Sequence, residues 1–329
     1  MQGAQPLTKG IDLRYATEEM RLNKLMVKSP RIHRRFREIF FLLTCILIGA
    51  ETCVAMETET VQTLTGGRIS YRVVLNDYLE KIGARFGVSA QILARDNALP
   101  DPDFVLPDQM LTVVNRHIIP ESLSTGIIIN LPQRMLFLFQ EGKLERAFPV
   151  GLGKPDWPTV QGLFQVISLQ KNPVWLVPKS IQEEMMRENV IVEKKVSPGP
   201  DNPLGKFWIG LNAPGYGIHG TIAPASVYHF QSHGCIRMHN DDVELLFSRV
   251  TKGTVVKIIS APVLMTEHDT RIFIEVHRDV YNDTVVTLED VHKLAYSKAL
   301  IDRIDWRRVE AVIAAREGVA IDVTNFHVE

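Results

Sequence analysis

The chain has 329 residues, of which 45% are hydrophobic and 23% charged, and its formal net charge is −1. This composition is typical of a globular protein, and the length suits one large domain with one or two smaller ones. A charge so close to zero excludes a general attraction to nucleic acid or to anionic membranes, so we expect no nucleic-acid partner.

The N-terminus carries the pattern of a secretory signal. A basic segment precedes an apolar run from Ile39 to Ala50, and small residues follow as far as Ala55. These are the three parts of a cleavable signal peptide, and the run is short for a membrane span, which needs about 20 residues. We predict a signal within residues 1–55, cleavage after Ala55 and a periplasmic location. An uncleaved membrane anchor, and Met26 as the true start, are the alternatives.

Cysteine usage singles out one residue. Two of the three cysteines, Cys45 and Cys53, lie inside the predicted signal, so cleavage leaves Cys235 alone. A solitary thiol in an oxidising compartment has no intramolecular disulfide partner, and this indicates a reactive or intermolecular role.

A short module follows a polar linker at residues 56–68. In residues 69–115 the pattern predicts a strand at Tyr71–Val74, two helices and a closing strand at Met110–Val114. Asn76–Asp77 and Ser89 are the predicted helix N-caps. The predicted order is therefore βααβ.

This module resembles a LysM domain. The resemblance is carried by these stretches: Tyr71-Arg72-Val73, Asn76-Asp77-Tyr78-Leu79, Arg85-Phe86-Gly87-Val88, Asp96-Asn97 and Leu106-Pro107-Asp108-Gln109-Met110-Leu111. It departs from the usual pattern at Leu75-Asn76, where Pro-Gly commonly precedes the Asp. The resemblance implies binding to the glycan strands of peptidoglycan. The alternative is a βααβ spacer without a ligand.

Residues 126–261 have the sequence pattern of a β domain. Two β-rich runs, Ile127–Leu131 and Met135–Phe139, flank a Pro-containing turn and predict a hairpin. Further strands are expected around residues 146–150, 162–166 and 254–259, with helices only at 180–188 and 241–250.

Residues 262–329 form a C-terminal extension with one predicted strand, Ile272–Val276, and helices at 288–304 and 306–316. No chemistry can be assigned to this extension.

The residues with chemical potential lie close to Cys235. Two histidines, His219 and His233, are candidates for the base that a cysteine nucleophile needs, because imidazole can take the thiol proton near neutral pH. Spacing alone does not choose between them. Gly234 allows close approach of the backbone to a substrate, and the amides near Gly234 and Cys235 are candidate donors to an oxyanion. Asn240-Asp241 is the predicted cap of the next helix.

The same stretch resembles the L,D-transpeptidase (YkuD-type) catalytic domain. The motif is a histidine, a gap and then Ser-His-Gly-Cys, matched here by His219 and by Ser232-His233-Gly234-Cys235. Flanking stretches match as well: Gly151–Thr159, Asn172–Trp175 and Pro198–Gly205. The departures are Val160, where Pro is common, and Val177.

The resemblance implies a role for each motif residue. Cys235 is the nucleophile, His219 the general base, and the Gly220 carbonyl orients the imidazole. Ser232, His233, Gly234 and Arg237 occupy supporting positions. Arg237 is, by our inference, an anchor for a substrate carboxylate, because its fork binds carboxylates in a bidentate manner.

The expected architecture is mainly β: a β-sandwich-like L,D-transpeptidase domain, preceded by the LysM module and followed by the α-rich extension. The resemblance implies acyl transfer from peptidoglycan stem peptides to an amine, which is either a second stem peptide or an anchored lipoprotein. It also implies covalent inhibition by carbapenems and no metal or organic cofactor. The alternatives are a hydrolase that uses water as acceptor and a non-catalytic peptidoglycan-binding protein.

Two other hypotheses concern the cysteine itself. A zinc site has enough ligand types available, although their spacing fits no common zinc pattern. These ligands would be His219, His229, His233, His239 and Cys235. A buried, inert cysteine is the second hypothesis, and the polar neighbours Ser232, His233 and Arg237 argue against it.

Overall fold

The computed structural model describes residues 62–100 and 104–326. The predicted signal peptide and the first part of the predicted linker lie outside the described residues. Within those residues, no helix is both long and apolar enough to cross a lipid bilayer.

Short strands and a few helices make up the described chain, as the mainly β prediction requires. The strands are β1 (Leu64–Thr65), β2 (Arg68–Arg72), β3 (Met110–Val114), β4 (His117–Ile118), β5 (Gly126–Asn130), β6 (Met135–Gln140), β7 (Lys143–Pro149), β8 (Leu152–Gly153), β9 (Gly162–Lys171), β10 (Trp175–Leu176), β11 (Lys195–Val196), β12 (Phe207–Leu211), β13 (Gly217–His219), β14 (Phe230–Ser232), β15 (Ile236–Arg237), β16 (Val255–Ile259), β17 (Val263–His268), β18 (Arg271–Val276) and β19 (Ile321–Asp322). The α-helices are α1 (Leu79–Phe86), α2 (Ala90–Asp96), α3 (Lys179–Arg187), α4 (Asn240–Arg249), α5 (Leu288–Ser297) and α6 (Trp306–Ala315).

The N-terminal module has the predicted βααβ order. Strands β2 and β3 pair antiparallel, and α1 and α2 pack their apolar faces on them. The Ser89 hydroxyl accepts from the Ile92 amide, which confirms the predicted cap of α2. The Asn76–Asp77 cap is wrong. Helix α1 begins at Leu79 without a side-chain cap, because the Asp77 carboxylate is already bonded to the Tyr71 hydroxyl at 2.6 Å.

An eight-stranded sheet forms the centre of the molecule, in the order β15-β13-β12-β9-β16-β5-β6-β7. Strands β5 and β6 are the predicted hairpin, and nearly all their side chains are buried. The main core lies between this sheet and α4 and includes Ile127, Leu136, Ile209 and Leu246. Burial of such side chains contributes about 1.5–3 kcal/mol each, which makes the sheet a rigid support.

The edge of this sheet holds the motif residues. Strands β13 and β15 run parallel, with Ile218 opposite Ile236 and His219 opposite Arg237. Both isoleucines are fully buried, so the register is fixed by the core. The alternation of side chains along a strand then places His219 and Arg237 together on the other face.

The C-terminal extension differs from the prediction in two ways. Its strand β18 lies between β17 and β19 in a three-stranded sheet, so the prediction of one strand is wrong. The helix predicted at 288–304 ends at Ser297, and a 3₁₀ turn follows at Ile301–Arg303. Ala299 has a positive φ of 55°, which no α-helix accommodates.

Direct side-chain contacts connect the N-terminal module to the large sheet domain. The Arg85 guanidinium on α1 lies 2.8 Å from an Asp241 oxygen and 3.1 Å from an Asp242 oxygen on α4. His239, at the start of α4, lies 3.0 Å through Nε2 from the Ala84 carbonyl oxygen. These contacts hold the module against the helix that follows the Cys235 segment.

A buried carboxylate, Glu275, joins the C-terminal extension to the sheet domain and to His117, whose other ring nitrogen contacts the Gly87 carbonyl of the N-terminal module. Its Oε1 accepts from His117 Nδ1 at 2.8 Å, from Gln133 Nε2 at 3.0 Å and from His277 Nε2 at 2.8 Å. Its Oε2 accepts from the Ile118 amide at 2.5 Å. We call these residues the Glu275 junction. Every oxygen of this carboxylate is bonded, as a buried charge requires.

Candidate active site

Cys235 lies in a cleft of about 840 Å³ at the edge of the sheet. Its thiol donates to the Gly215 carbonyl oxygen at 3.3 Å. Burial raises the pKa of this thiol, although the Gly217 backbone and the Arg237 charge oppose that effect. The resting sulfur is therefore a protonated thiol, which needs a base before it can attack.

His219, the last residue of β13, lines the same cleft and is 4% exposed. Its Nδ1 donates to the Gly220 carbonyl oxygen at 2.6 Å, and the Trp208 ring stacks on it at 5.8 Å between centroids. Burial lowers the pKa of His219 to about 4; the Gly220 contact opposes this and the Arg237 charge adds to it. Since a carbonyl can only accept, Nδ1 carries the proton, and Nε2 has no partner among the described residues.

The turn before the nucleophile depends on Ser232 and Gly234. The Ser232 hydroxyl donates to the Cys235 carbonyl at 2.6 Å and accepts from the Gly234 amide at 3.2 Å. Gly234 has a φ of 101°, and a Cβ there would meet the Tyr216 ring at 3.0 Å, so glycine is required. The expectation that the Gly234 amide serves an oxyanion is not met, because Ser232 already occupies it. The Cys235 amide has no acceptor among the described residues and remains the candidate donor.

His233 has a different environment from His219. Its Nε2 is bonded to a Glu184 oxygen on α3, and the other Glu184 oxygen accepts from Lys154 Nζ at 2.6 Å. The Trp157 ring packs edge-on against His233 at 4.7 Å between centroids. This arrangement connects α3, which has no buried side chain of its own, to the turn before Cys235. The structure therefore distinguishes two histidines that spacing alone leaves equal.

Arg237 sits opposite His219 and lines the cleft with a side chain that has no carboxylate partner among the described residues. Its backbone amide donates to the Gly151 carbonyl and its carbonyl accepts from the Gly151 amide, each at 2.8 Å. Burial lowers the pKa of Arg237, and the Cys235 sulfur opposes that effect. A fixed, unpaired guanidinium beside the thiol attracts an anionic group of a substrate.

Three further residues support the turn: Thr159, which ends the matching stretch Gly151–Thr159 but has no predicted role, and Tyr281 and Glu184, which have no signal in the sequence. The Thr159 hydroxyl donates to the Gly234 carbonyl at 2.9 Å and accepts from the Gly153 amide at 2.9 Å. The Tyr281 hydroxyl, from the C-terminal extension, donates to the Gly153 carbonyl at 2.7 Å. Glu184 is the third such residue, and it lies 49 positions before its partner His233. Only tertiary folding brings Glu184 and Tyr281 to the site, so periodicity and spacing could not find them.

Asn240 has another role than the predicted one. Helix α4 begins at Asn240 with His239 as N-cap, and no side chain caps it, so the Asn240-Asp241 cap is wrong. The Asn240 side chain instead accepts from the Thr221 amide at 3.1 Å and donates to the Thr221 carbonyl at 2.9 Å. It thereby fixes the loop that follows His219 and Gly220.

The arrangement as a whole is suited to nucleophilic catalysis. A neutral thiol and a neutral imidazole share one cleft, with a guanidinium and a free amide beside them. Among the described residues, no group of three His, Cys, Asp or Glu side chains is placed to hold a metal ion.

Comparison with known proteins matches the same two regions. Residues 124–258 match the L,D-transpeptidase catalytic domain, and residues 71–114 match the LysM domain. Among curated relatives, the probable L,D-transpeptidase YbiS of Escherichia coli is 30% identical over 237 residues, which span 70% of this chain and 71% of that protein. The chain belongs to the L,D-transpeptidase family.

Two further relatives match a larger share of this chain. The probable L,D-transpeptidase YcfS of Escherichia coli is 29% identical over 274 residues, covering 80% of this chain and 86% of its own. The probable L,D-transpeptidase ErfK/SrfK of Salmonella typhimurium is 29% identical over 257 residues, covering 75% and 82%. Both predicted resemblances are thus confirmed, and the protein is an L,D-transpeptidase with a LysM domain.

Proposed function

We propose that this L,D-transpeptidase works by acyl transfer through Cys235, with His219 as its general base. The observation that carries this proposal is the state of His219. Its Nδ1 is held by the Gly220 carbonyl, and its unprotonated Nε2 has no partner among the described residues of the cleft that also holds the thiol. A base oriented in this way accepts the thiol proton as the sulfur attacks.

In the first half-reaction, the Cys235 sulfur attacks the carbonyl carbon of the third residue of a stem tetrapeptide, a diaminopimelate. The thiol proton moves to His219 Nε2, and the Cys235 amide donates to the oxyanion that develops. The bond to the terminal D-Ala then breaks, and the nitrogen of D-Ala leaves with the proton from His219. A thioester between the substrate carbonyl and Cys235 remains.

In the second half-reaction, an acceptor amine attacks the thioester carbon. The amine loses a proton to His219, the carbon–sulfur bond breaks, and the proton returns to the Cys235 sulfur. The acceptor is a second stem peptide, which gives a 3→3 crosslink, or the side-chain amine of an anchored lipoprotein. If water takes this place, the product is a shortened peptide. Product analysis with and without an acceptor peptide decides between amine and water.

Arg237 is our candidate for the residue that positions the donor peptide. It lies beside Cys235 and is already desolvated, so a bidentate carboxylate contact there is strong. Ser232, His233 and Gly234 shape the turn and do not themselves react. The LysM domain is proposed to bind the glycan strands, and the reaction takes place in the periplasm.

Acylation by a carbapenem tests the nucleophile. Mass spectrometry of the purified protein incubated with a carbapenem is expected to show one adduct, carried by the peptide that contains Cys235. The variant Cys235→Ala is expected to show none. An unmodified wild-type protein, or an adduct that persists in Cys235→Ala, would falsify the proposal.

A further inference from the structure

A second cleft, of about 650 Å³, lies where the three parts of the chain meet, and it shares no lining residue with the cleft of Cys235. One wall is α2 of the LysM domain, another is the turn between β5 and β6 together with Phe230, and the third is the C-terminal extension. The volume is within the range of about 300–1,000 Å³ in which proteins bind small molecules. We call it the junction cleft.

The junction cleft is strongly basic. Four arginines line it against one carboxylate, Glu317. Arg95 is bonded to that carboxylate and to Asp96, so its charge is matched. Arg134, Arg278 and Arg316 have no carboxylate partner among the described residues. His277 adds no charge, because burial lowers its pKa despite the Glu275 contact.

Arg134 is the most strongly fixed of the three unpaired cations. Its guanidinium lies 4.1 Å from the centre of the Tyr228 ring and 5.5 Å from that of Phe230. Its Nε is buried without a hydrogen-bond partner. A buried donor without an acceptor is unfavourable, so the hydrogen-bonding capacity of this guanidinium is not filled by the protein. Arg278 and Arg316 are exposed at the mouth of the same cleft, where they are free to meet an anion.

The chemistry of the wall polymer indicates which anion belongs there. The glycan strand offers hydroxyls and amides, which do not require guanidinium groups, whereas the stem peptides carry free carboxylates. Planar carboxylates are the group that an arginine fork matches best. The whole chain has a net charge of −1, so the basic character is local and does not reflect a general affinity for polyanions.

We propose that the junction cleft binds the carboxylates of a stem peptide other than the one that reaches Cys235. The LysM domain supplies one wall, so a strand held by that domain would place its next peptide against Arg134, Arg278 and Arg316. This second contact would raise the affinity for the polymer without any change in the chemistry. The inference rests on the proposed function only for the identity of the polymer.

Binding to the full chain carrying Cys235→Ala tests the proposal without turnover. The probe is a synthetic stem tetrapeptide with free carboxylates, and isothermal titration measures its sites. We expect two sites, and the additional changes Arg278→Gln and Arg316→Gln are expected to weaken one of them about tenfold or more. The matched control is Arg307→Gln, an exposed arginine of the same extension that lies outside the cleft. The tetrapeptide with amidated carboxylates is expected to lose the same site and also to bind more weakly in the Cys235 cleft, where it lacks the carboxylate contact with Arg237.

The proposal is overturned if the double change leaves both sites intact, if the amidated peptide binds equally well, or if inorganic phosphate binds this cleft and the peptide does not. A second measurement uses protein that keeps Cys235 and is therefore active. With Arg278→Gln and Arg316→Gln in this background, we expect a raised KM for intact peptidoglycan and an unchanged kcat/KM for the isolated tetrapeptide. An equal loss on both substrates contradicts the proposal. Carbapenem acylation stays normal in these variants, so a failure here is distinct from a failure of the Cys235 mechanism.

Discussion

Two regions of the molecule bury histidine rings, and they differ in how many ring nitrogens have a hydrogen-bond partner in the protein. At the Glu275 junction, both nitrogens of His117 face acceptors: the Glu275 carboxylate and the Gly87 carbonyl, each at 2.8 Å. The hydrogen-bonding positions of this ring are therefore both filled by the protein, one of them by a carboxylate. At the Cys235 cleft, His219 has a carbonyl on one nitrogen and no partner among the described residues on the other.

From this difference we infer that the Glu275 junction is structural and that the Cys235 cleft is reactive. A polar group whose bonding capacity is filled by the protein stabilises the fold and has nothing left for a substrate. A group with one open position has been desolvated at a cost that only a reaction partner offsets. The same comparison distinguishes His219 from His233, since the Nε2 of His233 is occupied by Glu184.

The substitution His219→Gln is expected to have the largest effect. Glutamine can still donate to the Gly220 carbonyl, but it cannot take a proton from the thiol. We expect kcat/KM for the tetrapeptide to fall by about 10²- to 10⁴-fold, the usual contribution of a general base. Steady-state kinetics measure the loss, and thermal unfolding checks that the fold persists.

His233→Gln is the matched comparison, because it changes a histidine of the same cleft whose Nε2 is already bonded. Its loss of activity is expected to be much smaller than that of His219→Gln. If His233→Gln is the more damaging change, the two histidines have been assigned the wrong roles.

At the Glu275 junction we expect a substitution to lower stability and to leave activity unchanged. Glu275→Gln removes the charge that pairs with His117 and puts an amide donor among the donors of Ile118 and Gln133. Loss of one partner of a buried ion pair costs about 3–5 kcal/mol. Denaturant unfolding should show a destabilisation of that size, while kcat of the folded fraction stays near the wild-type value. Wild-type stability together with lost activity would reverse our comparison.

Stability and activity are expected to respond to acid at different pH values, because they depend on different residues. Burial alone would raise the pKa of Glu275, but His117 and His277 lower it to about 2, below its ordinary value of 4.5. Its stabilising effect is therefore complete above about pH 4.5 and is lost as the pH falls toward 2. Glu275→Gln should lack this part of the acid dependence of stability, measured by denaturant unfolding at each pH.

Activity should respond at another pH, because the base must be neutral. The pKa of His219 is lowered to about 4 and that of the Cys235 thiol is raised, so kcat/KM should rise with pH through about 4 and show no inflection near 6.5. An inflection near 6.5 would mean that the base is a solvated histidine.

The sequence indicated the fold wherever a local pattern decided it. The β5–β6 hairpin and the Ser89 cap follow from apolar runs and turn residues, and both are confirmed. The prediction failed where a tertiary contact competed with the local one. The Asp77 carboxylate bonds to Tyr71 and does not cap α1, and the Asn240 side chain bonds to Thr221 and does not cap α4.

The site shows the same limit. Cys235 stood out as a solitary thiol, and the resemblance to the family motif added His219 and the neighbouring residues; their roles stay predictions. Glu184 and Tyr281 reach the site from distant segments, and no spacing signals them. The unpaired arginines of the junction cleft come from separate parts of the chain and were invisible for the same reason.

The smallest expected effect concerns Tyr281, the residue through which the C-terminal extension reaches the active site. Tyr281→Phe keeps the ring against Phe230 but removes the hydroxyl that bonds to the Gly153 carbonyl. Gly153 and Thr159 then lose part of the support that holds the Gly234 carbonyl. One such hydrogen bond contributes about 1 kcal/mol, so kcat should fall about fivefold with little change in KM. The control is Tyr296→Phe, an exposed tyrosine on α5, which should leave kcat unchanged. If Tyr281→Phe lowers only the unfolding temperature, the extension stabilises the domain without positioning the turn that carries the thiol.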